Sequence, residues 1–237
     1  MDTPTAIPYN KQSNTAKSLL PLGFSMMDQN KKLYWTADSP FCRIILWAWM
    51  ESALTPPELV HLSWEELRSD KCSAILGTER TVPCLSGQPP LTDSLRILAV
   101  LSSSTFQAWL GSADGALYRF CEGQLGRLMY SLYDGVSADR LHDRWKTSLA
   151  VLERLLTGNA PAPTHGQIAM HTFLNFCVAL QKDWWRDIPE TLKQRLQLLE
   201  KSSSFVSLKK LTHGQNDRVH CGFFSPAGMG SPDWDAR

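Results

Sequence analysis

The sequence predicts an α/β domain followed by an all-helical domain. Before Gly111, short strand patterns alternate with helical ones, and beyond it the strand patterns stop. In the second part, apolar residues recur every three or four positions, which is typical of helices. The 237 residues, 43% of them hydrophobic, are enough to bury the cores of two domains. We expect the α/β domain at 31–104 and the helical domain at 111–211.

The α/β domain is predicted to begin with a β-α-β unit. Residues 31–35 have a strand pattern, and apolar residues at helical spacing predict a helix over 40–53. Pro40 at the first helical position makes Ser39 the N-cap residue. Two prolines follow the helix, and the alternation over 58–64 then predicts a second strand.

Two further strand segments and a helix complete this domain. The polar stretch 65–76 predicts no definite element. Residues 81–85 predict a strand, 86–89 a tight turn and 90–92 another short strand. The next helix is predicted over 93–102, which gives the order β-α-β-β-β-α.

The helical domain contains four helix patterns, at 117–133, 141–156, 168–185 and 188–199. The third pattern has the clearest start, because Thr164 and Gln167 are spaced as in a capping box. In that motif, each side chain accepts a hydrogen bond from the backbone N–H of the other residue. We expect this helix to lie in the core of the domain.

The two ends of the chain are predicted to be a flexible leader, 1–30, and a mobile tail, 212–237. The leader lacks the cleavage pattern of a secretory signal, and no apolar stretch has the length of a membrane span. The 24 Lys and Arg against 23 Asp and Glu leave a net charge of +1. This balance argues against nucleic acid as a partner.

The cysteines and histidines predict neither a disulfide framework nor a metal site. The six cysteines are scattered, without a CxxC pair or zinc spacing, and several lie in apolar segments where a reduced thiol packs. His165 and His171 lie near one helix start but have no neighbouring cysteine or carboxylate in the sequence. We therefore expect a protein of the reducing cytoplasm without a bound metal.

The start of the first predicted helix is a place where an anion would be stabilised. The unpaired backbone N–H groups and the positive end of the helix dipole lie beside the Ser39 side chain. A thiolate is one anion that such a position can hold. The alternative is that Ser39 only caps the helix.

Three segments resemble the cytosolic glutathione transferase family in order and approximate spacing: Ser39-Pro-Phe-Cys-Arg43, Thr81-Val-Pro-Cys-Leu85 and Leu91-Thr-Asp-Ser-Leu-Arg-Ile-Leu98. The resemblance covers about 31–211. It implies a thioredoxin-like, glutathione-binding domain followed by the family's helical domain. Serine at position 39 resembles the serine-type classes, in which the hydroxyl donates a hydrogen bond to the glutathione sulfur. Ser39 would then be the catalytic residue.

The resemblance also implies how the rest of glutathione is bound. Pro83 would follow a cis peptide bond, and the backbone of Val82 would pair with the cysteinyl part. The carboxylate of Asp93 and the hydroxyl of Ser94 would hold the γ-glutamyl end, although both residues also suit a helix cap. A basic residue would contact the glycine end; we choose Arg68, with Lys71 and Arg80 as alternatives.

The function implied is a glutathione-dependent transferase, or a related lyase, isomerase or biosynthetic enzyme, acting on a small hydrophobic electrophile. Four aromatic residues are expected either to line the pocket for the electrophile or to pack in the core: Tyr118, Phe120, Tyr130 and Tyr133. The alternative function is a non-catalytic scaffold or binding protein with the same fold. A thiol-disulfide oxidoreductase is disfavoured, because Ser39 occupies the first position of a CxxC-like spacing and Cys42 is expected to pack.

The family's usual assembly predicts a homodimer in which the α/β domain of one subunit packs on the helical domain of the other. One patch of apolar residues suits either this interface or the interdomain core. The patch comprises Phe106, Trp109, Leu110 and Leu117.

Overall fold

The computed structural model describes residues 31–52, 54–76, 81–87, 90–101, 106–156 and 162–213. The chain begins with a small mixed sheet and its helices: β1 (Lys32–Trp35), α1 (Pro40–Glu51), β2 (Glu58–His61), α2 (Trp64–Arg68), α3 (Asp70–Leu76), β3 (Cys84–Leu85) and α4 (Ser94–Leu101). The strand order is β2-β1-β3. β1 is parallel to β2 and antiparallel to β3, as expected for a β-α-β unit followed by a returning strand.

The second strand is shorter than the alternation over 58–64 predicts. β2 ends at His61, because Ser63 begins helix α2 with a capping box. The Ser63 hydroxyl accepts from Glu66 N at 3.2 Å, and the Glu66 carboxylate accepts from Ser63 N at 2.7 Å. The polar stretch that predicted no element therefore forms two short helices.

The strand predicted over 90–92 is reduced to a single bridge. Leu85 and Leu91 exchange two backbone hydrogen bonds, of 2.8 and 3.0 Å, across the turn. The strand pattern over 81–85 likewise forms a ladder only at Cys84 and Leu85. Pro83 has no N–H to donate, which agrees with a strand that begins after it.

Helix α1 contacts α4 and two helices of the second part of the chain, α9 (His165–Leu180) and α11 (Ser203–His213). Most of its side chains are buried, including Ile44, Ile45 and Trp47. A helix that is apolar on almost every side is stable only when other elements cover it all round. The helix therefore begins inside the fold, at Pro40 next to Ser39.

The helical part consists of α5 (Phe106–Leu110), α6 (Ala113–Phe120), a π-helical turn (Cys121–Leu125), α7 (Gly126–Tyr133), α8 (Ala138–Leu155), α9 (His165–Leu180), a 3-10 turn (Lys182–Asp187), α10 (Glu190–Glu200) and α11 (Ser203–His213). The pattern over 117–133 is thus two helices joined by a π turn. Helix α11 is not predicted by the sequence pattern. It continues two residues into the segment expected to be a mobile tail.

The predicted capping box at the start of α9 is confirmed. Thr164 Oγ1 accepts from Gln167 N, and Gln167 Oε1 accepts from Thr164 N, both at 3.4 Å. Asp114 of α6 adds a carboxylate at the same helix end, where its Oδ1 accepts from Gly166 N at 2.8 Å. An anion there also interacts favourably with the helix dipole.

The apolar patch predicted for the dimer interface lies largely inside this single chain. Trp109 and Leu117 are only 7% and 4% exposed and belong to the main core. Leu110 is half-buried against the same core, and the side chain of Phe106 lies outside the described residues. The core alternative is therefore correct for Trp109 and Leu117.

The leader, 1–30, and residues 214–237 lie outside the described part of the chain, and the limits of the two domains remain a prediction. Among the helices described, none has both the length and the apolar character that a membrane crossing needs.

Candidate functional site

Ser39 caps helix α1, as its position before Pro40 predicts. Its Oγ accepts a hydrogen bond from Cys42 N at 3.3 Å, and its carbonyl oxygen accepts from Arg43 N at 3.1 Å. The residue is only 8% exposed. Because the hydroxyl acts as an acceptor within the helix, its own proton can still be donated to a bound group.

Cys42 lies one turn into α1 and is fully buried. Its Sγ accepts from Thr36 N at 3.5 Å, and burial raises the pKa of the thiol to about 12. A thiol in this state is not a nucleophile at neutral pH. The geometry agrees with the prediction that Cys42 packs, and it argues against a thiol-disulfide oxidoreductase.

Arg43 is a buried charged residue near Ser39. No role was predicted for it from the sequence. Its Nε donates to Ala37 O at 2.7 Å, and its guanidinium lies 5.2 Å from the centre of the Phe176 ring. The side chain therefore fixes the loop that leads to Ser39 against the core. An arginine within the apolar run 41–49 is the signal that could have identified it.

The Val82–Pro83 peptide bond is cis, as the resemblance implies. Cys84, which follows it, pairs with Tyr34 of β1. Because β3 runs antiparallel to β1, the residues before Cys84 lie beside the carboxyl end of β1. The loop to Ser39 leaves the sheet at that end, so the sheet brings both segments to one edge.

Asp93 and Ser94 lie at the start of α4. Asp93 Oδ1 accepts from Leu95 N at 2.9 Å, and Asp93 Oδ2 lies 4.0 Å from Arg96 Nε. Ser94 is 8% exposed, and its Oγ accepts from the Tyr118 hydroxyl at 3.4 Å. Asp93 thus caps the helix, while its side chain is half exposed and accessible to a ligand.

Glu122, on the π-helical turn, is also absent from the sequence prediction. Burial, and then the Asp93 charge, raise the pKa of its carboxyl to about 7. The same two carboxylates contribute, after burial, to the raised pKa of the Tyr118 phenol. No sequence pattern points to Glu122, because its burial depends on how the helices around the π-helical turn pack.

The basic residues predicted for the glycine end are only partly described. Arg68 lies in α2, but its side chain is outside the described residues, as is all of Arg80. Lys71 is exposed on α3. The contact to the glycine end therefore stays a prediction.

The four aromatic residues expected to line the electrophile pocket divide into two groups. Tyr118 is fully buried in the core, and Phe120 packs half-buried against it. Tyr130 and Tyr133 of α7 are half exposed, at 50% and 51%. Core packing is thus the role of Tyr118, whereas Tyr130 and Tyr133 have surface available to a ligand.

Two cavities lie at the other end of α1, away from Ser39. One, of about 460 Å³, is bordered by Glu51, Trp109 and His165. The other, of about 330 Å³, is bordered by Trp49, Pro57 and Ser204. Within the described part of the chain, no three His, Cys, Asp or Glu side chains are grouped so that they could hold a metal ion.

No protein-family model matches the sequence, and no curated protein matches it either. Solved structures do match the fold. Glutathione transferase Omega 2C from Trametes versicolor is 15% identical, with a TM-score of 0.60 over 76% of this chain and 93% of that one. A glutathione S-transferase from Methylobacterium radiotolerans, in complex with glutathione sulfonate, is 20% identical, with a TM-score of 0.58 over 75% and 93%.

Ure2p in complex with glutathione matches as well, at 13% identity and a TM-score of 0.59 over 76% of this chain and 98% of that one. Identities this low carry information about the fold alone. The chain therefore has the glutathione transferase fold, in which a small thioredoxin-like sheet with its helices is followed by an all-helical part.

Proposed function

We propose that this protein binds glutathione and activates its thiol for addition to a small hydrophobic electrophile. The observation that carries the proposal is the buried start of α1, where the Ser39 hydroxyl caps the helix and can still donate its proton. A thiolate placed there would accept a hydrogen bond from that hydroxyl and would lie at the positive end of the helix dipole. Val82, next to Pro83, would pair with the cysteinyl backbone of the ligand.

The free energy required to lower the thiol pKa is modest. Lowering a thiol pKa from about 8.5 toward 7 raises the thiolate fraction at neutral pH roughly tenfold and requires about 2 kcal/mol. One charge-assisted hydrogen bond together with a helix dipole supplies a free energy of that size. The thiol proton leaves to solvent, and the thiolate sulfur forms a bond to the electrophilic carbon. The electron pair of the bond that opens on the electrophile takes up a proton from solvent, which completes the addition. Tyr130 and Tyr133 offer the exposed aromatic surface against which an apolar electrophile could pack.

Calorimetric titration with glutathione, followed by turnover of a generic electrophile, tests the proposal. We expect Ser39→Ala to lower turnover by about ten- to a thousandfold while glutathione affinity changes much less. The matched control is Ser112→Ala, which removes a serine cap at the start of α6, where Ser112 Oγ accepts from Gly115 N at 3.1 Å. The control should lose stability but keep its turnover.

Glutathione binding without turnover of any electrophile would favour the alternative function, a non-catalytic binding protein. Turnover that is unchanged in Ser39→Ala would contradict the role of Ser39. Failure of the wild-type chain to bind glutathione would contradict the proposed function.

The described cysteines are unpaired and buried, which supports our placing the protein in a reducing compartment such as the cytoplasm. We also propose a homodimer, with neither nucleic acid nor membrane as a partner.

A further inference from the structure

Arg43 lies one helical turn from Ser39 and is almost completely buried, at 2% exposed. A charge that is taken out of water costs free energy. A well-packed apolar side chain often fills such a space without any loss of stability. Packing alone therefore does not account for an arginine in the first turn of α1.

One contact of Arg43 is made to the loop 36–39, which joins β1 to α1 and ends at Ser39. Arg43 Nε donates to Ala37 O at 2.7 Å, and Ala37 is also only 2% exposed. A carbonyl group that is buried and loses its donor has no water to replace it, so the loop would have to move. The hydrogen bond therefore fixes the backbone two residues before Ser39.

Two further hydrogen bonds hold the same loop to the first turn of α1. Thr36 N donates to Cys42 Sγ at 3.5 Å, and Cys42 N donates to Ser39 Oγ at 3.3 Å. These two bonds involve the first and the last residue of the loop, whereas Arg43 holds the loop between them. The direction of the Ser39 side chain thus depends on all three bonds.

The other contact of Arg43 is made to helix α9, in the helical part of the chain. The guanidinium lies 5.2 Å from the centre of the Phe176 ring, within the range of a cation–π interaction, and Phe176 is fully buried. Such an attraction is strongest where water is excluded. Phe176 therefore fixes the guanidinium, and through it the Nε donor to Ala37 O.

We propose that Arg43 is a positioning residue for the Ser39 hydroxyl, and that Phe176 acts on the site through Arg43. The inference rests on the proposed function, in which that hydroxyl donates a hydrogen bond to the glutathione thiolate. The bond is strong only while the hydroxyl points at the sulfur, so a small movement of the loop weakens it. The helical part of the chain thereby controls how far the site lowers the thiol pKa.

The first experiment measures the pKa of the glutathione thiol bound to the full chain, from the ultraviolet absorbance of the thiolate against pH. Arg43→Lys keeps the charge but loses the rigid guanidinium fork. We expect the pKa of the bound thiol to rise from about 7 toward 8.5, the usual value of a free thiol, and turnover at pH 7 to fall by about tenfold. Glutathione affinity, from calorimetric titration, should change much less than turnover.

Phe176→Leu is the second variant, because it keeps Arg43 and removes only the aromatic face. Turnover should fall by about three- to tenfold, with a rise in the pKa of the bound thiol. The matched control is Phe205→Leu, since Phe205 is a buried phenylalanine that contacts α1 at Trp47 instead of Arg43. The control should lose stability in thermal melts but keep the thiol pKa and turnover.

A double-mutant cycle tests whether Phe176 acts through Arg43. The variant with both changes, Arg43→Lys and Phe176→Leu, should have the same thiol pKa and turnover as Arg43→Lys alone, because the aromatic face then has no guanidinium to hold. Thermal melts of each variant establish that it is folded. If Arg43→Lys does not fold, Phe176→Leu decides, and a thiol pKa equal to that of the wild type overturns the inference.

Three further results would overturn the inference. An unchanged thiol pKa and turnover in folded Arg43→Lys would show that Arg43 only packs, while the proposed function stands. Losses that add up in the double variant, or an equal rise of the thiol pKa in Phe205→Leu, would show that Phe176 does not act through Arg43. Absence of glutathione binding by the wild type would contradict the proposed function itself, and the inference with it.

Discussion

Ser39 and Cys42 lie one helical turn apart, and burial gives their side chains different reactivity. The Ser39 hydroxyl caps α1 and keeps a small exposed fraction, whereas the Cys42 thiol is fully buried in the core. Capping was predictable, because serine before proline is a local signal. The raised pKa of Cys42 was not, because it depends on the elements that cover α1.

Cys42 should therefore be unreactive in the folded protein. Its thiol pKa of about 12 leaves almost no thiolate at pH 8, and the side chain is fully buried. We expect iodoacetamide to leave Cys42 unmodified in the native state and to modify it after denaturation, as read by mass spectrometry of the peptides. Native labelling at the rate of a small-molecule thiol would contradict this assignment.

Glu122 should make stability depend on pH. Its carboxyl pKa is raised from 4.5 to about 7 on folding, so the folded state holds a proton that the unfolded state has released. The stability this contributes is present at low pH and is lost as pH rises toward the folded pKa. Glu122→Gln, which cannot ionise, should therefore raise the free energy of unfolding at pH 8 by on the order of 1–3 kcal/mol and change it little at pH 4.

The control is Glu153→Gln, which removes one negative charge from the exposed side of α8, where Glu153 accepts from Thr191 Oγ1. Thermal melts at the two pH values compare this control with Glu122→Gln and the wild type. A gain of equal size at both pH values would mean that ionisation of Glu122 is not its cause.

At the scale of elements, the start of α9 is stabilised by one interaction that the local sequence predicts and by another that it does not. The Thr164 and Gln167 capping box is local and was predictable from four consecutive residues. The Asp114 carboxylate at the same helix end comes from α6, which is distant in sequence, so no local pattern indicates it. Gly166 allows the close approach, because a Cβ on it would lie 2.5 Å from Asp114 O and 2.6 Å from Asp114 Oδ1.

Gly166→Ala should therefore destabilise the protein, by about 1–3 kcal/mol, because the backbone oxygen of Asp114 cannot move aside without shifting α6. Gly123→Ala is the matched control, since a Cβ there would meet nothing within 4 Å. Alanine is the better helix former, so the control should gain up to about 1 kcal/mol. Urea unfolding measures both, and a loss of the same size in the two variants would contradict the explanation.

The predicted elements differ from the observed ones where a helix cap or a contact with a neighbouring element determines where the element begins or ends. The alternation over 58–64 continues past the real end of β2, because the Ser63 capping box turns the chain into α2. Helix α11 mixes its apolar residues with serines and lysines, and Phe205 is buried by contacts with Trp47 of α1 and His171 of α9, which no local pattern indicates. Long, strongly periodic segments such as α8 were predicted well, because the spacing of their own apolar residues indicates a helix.

At the scale of the whole molecule, the order of predicted elements was enough to predict the fold class. The apolar character of single residues was not enough to identify a dimer surface. Trp109 and Leu117 are apolar because they form the core of one subunit. Deciding between core and interface requires the packing of α5 and α6 against α9. The limits of the two domains likewise remain predictions.

The proposed homodimer is tested by light scattering at micromolar concentration. The expected mass is twice the 26.7 kDa of one chain. Because Trp109 lies in the core, Trp109→Ala should lower the melting temperature without first dissociating the dimer. A monomeric mass together with full activity would refute the homodimer.

The burial of Trp35, Trp47 and Trp145 also has an optical consequence. Each side chain is at most 1% exposed, and Trp35 ends the strand that leads to Ser39. Indole emission shifts to longer wavelength on contact with water, so unfolding should be visible as a red shift without any label.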